Sequence, residues 1–256
     1  MGPSSLRIYL TGRVCFEADE ALIDQSAFPS QQARLAFAFL VSERNRAVTR
    51  SELAEVLWPR RLPPSWDTSL SVIISKIRSL LIGAGLEGSR TLTGALGCYE
   101  LRLPQRSWVD LEAAADSIHQ AEAALKAGSH ASAYGPSAVA HHIARRPFLP
   151  GEEGEWVERR RDKQRNILIR ALECRAEVYM WNNEHSLAVE AARDAISLEP
   201  FRETCYQLLM RAHDRAGNAA EALRVYEECR KLISEELGVH PSRQTREVYK
   251  QVLQSI

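Results

Sequence analysis

A chain of 256 residues with 45% hydrophobic content is long enough for two compact domains, each burying a core of its own. Its 33 Lys and Arg equal its 33 Asp and Glu, with 12 basic and 10 acidic side chains in residues 1–104 and 21 and 23 in the rest, so the bulk positive charge of many nucleic-acid binders is missing. The five cysteines (15, 98, 174, 205 and 229) form no C-x-x-C pair, M-G-P-S-S-L-R-I-Y-L holds no signal-type apolar region, and no stretch is apolar enough to span a bilayer, so a soluble cytoplasmic protein without disulfides or metal is expected.

In chain order, L6-R-I-Y-L-T-G-R-V-C-F16 is rich in β-branched and aromatic residues and broken at Gly12, which predicts strands and a turn. A helix follows over 31–43, with Leu35, Phe39 and Leu40 close to one face. T49-R-S-E52 has the form of a capping box and opens a second helix over 50–57, with Glu52 placed to reach back to the cap. Trp58-Pro59 and Pro63-Pro64 interrupt the chain, and Ser65 can cap a third helix over 66–82. After G83-A-G-L-E-G-S, the stretch R90-T-L-T-G-A-L-G-C-Y-E-L-R-L103 predicts two strands joined through Gly94 to Gly97. Strands, three helices and a closing hairpin are the order of a winged helix-turn-helix; another small α+β domain shares that order and stays open.

From Val109 the pattern turns helical, and L187-A-V-E-A-A-R-D-A-I196 aligns with E221-A-L-R-V-Y-E-E-C-R230 at an offset of 34 residues, the tetratricopeptide period. Ala188 falls over Ala222, Ala192 over Tyr226, and Asn183 over Gly217 at the turn between paired helices, where a left-handed backbone is useful. An ordinary alanine-rich bundle is the alternative. The fold class expected is therefore mainly α: a winged helix-turn-helix over 1–104, then an all-α tetratricopeptide-like domain over 105–256.

Several stretches together resemble the antibiotic regulatory protein (SARP) type of bacterial transcription activator, in which a response-regulator-type winged helix precedes a bacterial transcriptional activation domain. They are V48-T-R-S-E-L-A-E-V-L-W58, S69-L-S-V-I-I-S-K-I-R-S-L-L81, W108-V-D110, W156-V-E-R-R-R161, the segment from Pro200 to Tyr226, and E235-E-L-G-V-H-P-S242. The resemblance implies promoter DNA as a partner, bound at direct repeats as a homodimer or tandem dimer, with contacts to RNA polymerase holoenzyme. Two departures stand out: Cys98 precedes Tyr99 where the family's wing has Gly-Tyr with arginine nearby, and neither a receiver nor an ATPase module is found, so control by phosphorelay or nucleotide is expected to come from elsewhere.

On the third helix, Trp66, Leu70, Ile73, Ile74, Ile77, Leu80 and Leu81 share one face, while Thr68, Val72, Ser75, Lys76 and Ser79 lie opposite. The residues alone fit a core helix with a solvated back as well as a reading helix; the resemblance implies the second. Thr68, Ser69, Val72, Ser75, Lys76, Arg78 and Ser79 are then the candidate DNA contacts, with Lys76 suited to a guanine edge or phosphate, Val72 to a thymine methyl group and Arg78 to a phosphate. Arg50, at a helix N-terminus, and Arg90 complete the set, whereas Arg34, Arg44, Arg46, Arg60 and Arg61 are read as solvated. His141-His142 are adjacent and face different directions, which disfavours a shared metal. The run E158-R-R-R-D-K-Q-R165 is read as a solvated charged face. Catalytic motifs are missing from the sequence, so no enzyme and no cofactor are expected; a helical-repeat adaptor without specific DNA binding is the rival function.

Overall fold

The computed structural model describes residues 5–19 and 21–255, so Met1–Ser4 of the inspected N-terminal stretch lie outside the described residues. By contact density the chain divides into two compact units: residues up to Ala113 with Arg146–Gln164, and Ala114–Arg145 with the chain from Arg165 on.

In the first unit, β1 (Leu6–Tyr9) pairs antiparallel with β2 (Cys15–Ala18), which pairs with β3 (Ala21–Ile23). A further strand, β7 (Ser107–Val109), joins the free edge of β1 in parallel. Its partner lies about a hundred residues away, which no local pattern records. Leu6 and Ile8 point inward and Arg7 outward, the period of two expected of a strand. α1 (Gln31–Ser42) is capped by Ser30, whose side chain accepts the Ala33 amide. Its burial differs from the one-faced expectation: Ala36, Phe37, Ala38 and Val41 are buried as well as Leu35, Phe39 and Leu40. One side packs on the sheet through Phe16 and Phe37, ring centroids 5.2 Å apart, and the other on the next two helices, so both need apolar residues.

β4 (Val48–Thr49) leads into α2 (Arg50–Leu57), and α3 (Trp66–Gly83) packs its apolar face on α1. Two capping expectations change. Thr49 does accept the Glu52 amide at 3.1 Å, but Glu52 turns to the guanidinium of Arg46 instead of the cap; a full charge is a stronger partner for a carboxylate than a neutral N–H. Ser65 holds the N-cap position of α3 without a side-chain cap bond. The segment expected to begin a strand at Arg90 starts instead as a short helix, α4 (Gly88–Thr91), and the hairpin is β5 (Leu92–Ala95) with β6 (Cys98–Leu101). β4, β6 and β5 form a second sheet in that order.

The returning segment 146–164 completes this unit. Phe148, Leu149, Trp156 and Val157 join its core, Thr11 bridges to Phe148, and the Gly12 amide donates to the Pro147 carbonyl at 2.8 Å. The charge run in α7 (Glu155–Trp181) is more than a solvated face: Arg161 donates to the carbonyls of Phe148, Leu149 and Glu152, and Arg160 to the Ser42 carbonyl and to Glu43. Burial pushes the Glu43 carboxyl up, but Arg160 and Arg46 together outweigh it and hold it below the usual range. Arg34 and Arg44, expected to be solvated, pair with Glu152 and Glu112.

The second unit is helical: the body of α5 (Asp110–Lys126), α6 (His130–Ala144), the remainder of α7, α8 (His185–Leu198), α9 (Glu203–Arg215), α10 (Ala219–Leu237) and α11 (Arg243–Gln254). The 34-residue offset is visible in the backbone. Asn183 (φ 61°) and Gly217 (φ 75°) are both left-handed, and the following amides, Glu184 and Asn218, donate back to Tyr179 and His213 at 2.8 and 2.9 Å. Ala188, Ala192 and Ala222 are fully buried in the core built around α9. No metal-holding cluster of His, Cys, Asp or Glu occurs among the described residues; His141 is part-buried, its pKa lowered to about 4 by desolvation and by Arg175, His142 and Arg145.

Candidate nucleic-acid interface

α3 has two chemically distinct sides. Leu70, Ile73, Ile74, Ile77 and Leu81 are buried, with Trp66 and Leu80 partly so. Thr68, Val72, Ser75, Lys76 and Ser79 stand exposed on the other side and Ser69 at its margin; Val72 is 48% exposed, an apolar group left to solvent. Ser79 donates its hydroxyl to the Ser75 carbonyl at 3.2 Å, which leaves its oxygen free to accept. The stripe thus offers one cation, four hydroxyls including Ser69, and two branched aliphatic side chains, Val72 and, at its C-terminal end, Ile82, the donor, acceptor and methyl-contacting groups that base edges require.

The three arginines of the candidate set behave differently. Arg50 is a clamp. Its Nε donates to Asp67 at 2.8 Å, its Nη2 to the Asp67 carbonyl and to Ser71 Oγ at 2.9 Å, and its Nη1 to the Tyr99 hydroxyl. The guanidinium also lies 5.4 Å from the Tyr99 ring centroid, and the Arg50 amide donates to Gly97 at 3.0 Å. α2, the start of α3 and the hairpin therefore meet on one side chain. Arg78 turns from the α3 flank to the hairpin: its Nε donates to the Leu92 carbonyl at 2.9 Å, and a Cβ at Gly94 would approach its Nη2 to 3.3 Å. Glycine at 94 makes room for that arginine. Arg90 sits apart on α4, exposed and paired with Glu87 at 2.9 Å.

The structure therefore gathers Thr68, Ser69, Val72, Ser75, Lys76 and Ser79 on one surface, sets Arg50 and Arg78 between that helix and the hairpin, and leaves Arg90 outside. Asp67, Ser71 and Tyr99, the partners of Arg50, were missed by sequence reasoning; Asp67 and Ser71 share one side of α3 at helical spacing, which is the signal that points to them. Asp110 was also missed as an organiser, although it lies in the W108-V-D110 stretch. It is completely buried, and its Oδ2 accepts the amides of Leu10 and Thr11 and the Thr11 hydroxyl at 2.9, 2.9 and 2.7 Å. Burial pushes its carboxyl up against the opposing pull of those bonds.

Comparison with known proteins gives a consistent picture. The family model described as the bacterial transcriptional activator domain matches residues 109–253. The chain is 29% identical over 226 residues to the regulatory protein AfsR of Streptomyces coelicolor, covering 88% of this chain and 22% of that protein. It is 26% identical over 241 residues to the transcriptional regulatory protein EmbR of Mycobacterium tuberculosis, covering 89% of this chain and 58% of EmbR. The chain thus spans from about a fifth to somewhat over half of these relatives, whose names are those of regulators, not of enzymes. A solved structure of M. tuberculosis EmbR in complex with a low-affinity phosphopeptide superposes with a TM-score of 0.87 at 23% identity, over 97% of this chain and 65% of that one, and so shares the fold.

Proposed function

The chain belongs to the bacterial transcriptional activator domain family, and from that premise we propose that it is a SARP-type, sequence-specific DNA-binding activator: residues 1–104 read promoter DNA and residues 105–256 serve activation. The observation that carries the reading is the two-sided α3. A helix that had merely to cover the core would need no exposed valine among hydroxyls and a lysine beside a braced hairpin.

In this reading α3 lies in the major groove, with Lys76 on a guanine edge or phosphate, Val72 against a thymine methyl group, and Thr68, Ser69, Ser75 and Ser79 on base edges or backbone. Arg50 and Arg78 hold the helix and hairpin in register and turn their remaining donors to phosphates; Arg90 takes a peripheral phosphate. The proposed face carries little positive charge, so a single site gains little from counterion release. We therefore propose pairing on direct repeats beside a promoter, as a homodimer or tandem dimer, with RNA polymerase holoenzyme as the protein partner and the cytoplasm as the place of action. No helix among the described residues is long and apolar enough to cross a membrane.

The test is selection of duplexes from a randomised or genomic pool with the purified chain, followed by mobility shift on single and repeated half-sites. Enrichment of one sequence, bound more tightly as a repeat, is expected. No enrichment would favour a protein-binding adaptor, and equal binding of single and repeated sites would remove the pairing.

A further inference from the structure

Leu96 sits at the tip of the β5–β6 hairpin and is completely exposed, at 102% of its reference area, the most exposed large hydrophobic side chain among the described residues. It occupies the first loop position of a two-residue turn between the paired Ala95 and Cys98, with φ 52° followed by φ 73° at Gly97. Both signs are those of a type I′ turn, whose first position favours asparagine, aspartate or glycine. A leucine there adopts a backbone region that L side chains disfavour and buries nothing in return. Neither the turn nor the core explains it.

Its surroundings narrow the explanation. Gly94, Ala95 and Gly97 leave Leu96 as the single side chain larger than a methyl group at the tip, and the tip bears no charge. Both strands of the hairpin are tied to the reading helix, through Arg78 on the Leu92 carbonyl and through Arg50, which joins Gly97 and Tyr99 to Asp67 and Ser71. The tip is thus a slim apolar prong held at fixed register to α3. With α3 in the major groove, a hairpin braced alongside it meets the neighbouring minor groove, which is about 6 Å wide and admits little more than one side chain. Apolar side chains inserted there work as wedges between base steps and bend the duplex.

We propose that Leu96 is a specificity-determining wedge that partly unstacks one base step in the minor groove beside the α3 site, so that the operator is selected there for flexibility, with pyrimidine–purine steps preferred. This rests on the DNA-reading proposal above. An uncharged prong contributes to affinity without releasing counterions, so its removal weakens binding at every salt concentration by the same factor.

The experiment uses the full chain, the duplexes it enriches from a randomised pool, and copies of those duplexes carrying 2-aminopurine at successive steps flanking the α3 site. The wild type is expected to brighten 2-aminopurine at one pyrimidine–purine step and to bend the duplex. Leu96→Ala and Leu96→Asn are expected to lose that signal and the bend and to bind about tenfold more weakly, with an unchanged slope of log affinity against log salt. Leu96→Asn, which suits the turn, is expected to melt no lower than the wild type, separating the contact from folding. Variants that bind, bend and brighten as the wild type does would overturn the wedge and leave the DNA-reading proposal standing. A wild type that enriches no duplex would instead sink that proposal, and the wedge with it.

Discussion

The Oδ2 atom of Asp110 accepts both the amide and the hydroxyl of Thr11, at 2.9 and 2.7 Å, and so ties the start of α5 to the end of β1. The pair is fully buried on the Asp110 side, and the Leu10 amide shares the same oxygen. Asp110→Ala would leave four donors unpaired, the Leu111 amide on Oδ1 included, one of them a hydroxyl that can turn elsewhere. A loss of about 3 kcal/mol is expected, since each buried donor left without a partner costs on the order of 1–3 kcal/mol and neighbouring losses overlap. Urea unfolding of the variant checks it; a midpoint equal to the wild type's would mean that the junction does not depend on this carboxylate.

Arg50→Lys is expected to be nearly as damaging as Arg50→Ala to the first unit. The lysine ammonium can replace one of the contacts to Asp67, Ser71 and Tyr99, but it lacks the planar fork that meets them together. A loss of about 1–2 kcal/mol for either is expected, moderated by partial exposure of the site. Thermal melting compares the two, and full stability in the lysine variant would show that charge alone suffices.

Lys76 stands exposed on α3 with no ion pair among the described residues. Lys76→Ala is expected to leave the melting temperature unchanged and to weaken binding to selected DNA by roughly tenfold, with the salt slope falling by about one if the contact is a phosphate. Relaxed preference at one base pair, with an unaltered slope, would mark a guanine edge instead. Unchanged affinity and preference together would remove Lys76 from the interface.

Acid should loosen the second unit. His213 is buried with neither ring nitrogen hydrogen-bonded, and desolvation followed by Arg193 lowers its pKa; that of His141 falls to about 4. A histidine whose folded pKa is depressed stays neutral in the folded chain while the unfolded chain takes up protons. Stability is therefore full above about pH 6.5 and is lost as pH falls from there toward about 4. His213→Leu removes one titrating group and two unpaired polar atoms. It should raise stability by about 1 kcal/mol at neutral pH and flatten the acid slope, as measured by melting across that pH range.

Much of this was readable locally. The faces of α3 follow from a period of 3.6, and the repeat betrayed itself at Asn183, whose left-handed backbone could be inferred from its place over Gly217. What was hidden is non-local. The parallel pairing of β7 with β1 joins segments far apart in sequence, and the all-round burial of α1 depends on having cover on both sides. Arg50 and Arg78 read as cations available to phosphates because their partners come within reach only on packing: the carboxylate of Asp67 once α2 meets α3, the Tyr99 hydroxyl and the Leu92 carbonyl once the hairpin folds against them. The same competition took Glu52 from its cap to Arg46.

Because Phe148, Leu149, Trp156 and Val157 belong to the core of the first unit, that unit cannot be finished when residue 113 leaves the ribosome. The 51 residues from 114 to 164 must first be made, a wait of about 3–10 s at ordinary elongation rates of roughly 5–20 residues per second. During that interval the nascent α1, whose Phe39 packs on Trp156 with ring centroids 5.0 Å apart, lacks its cover. The order of synthesis thus delays completion of the first unit until α5, α6 and the first turns of α7 exist, so a message truncated before them yields chains with an open core and a need for chaperones.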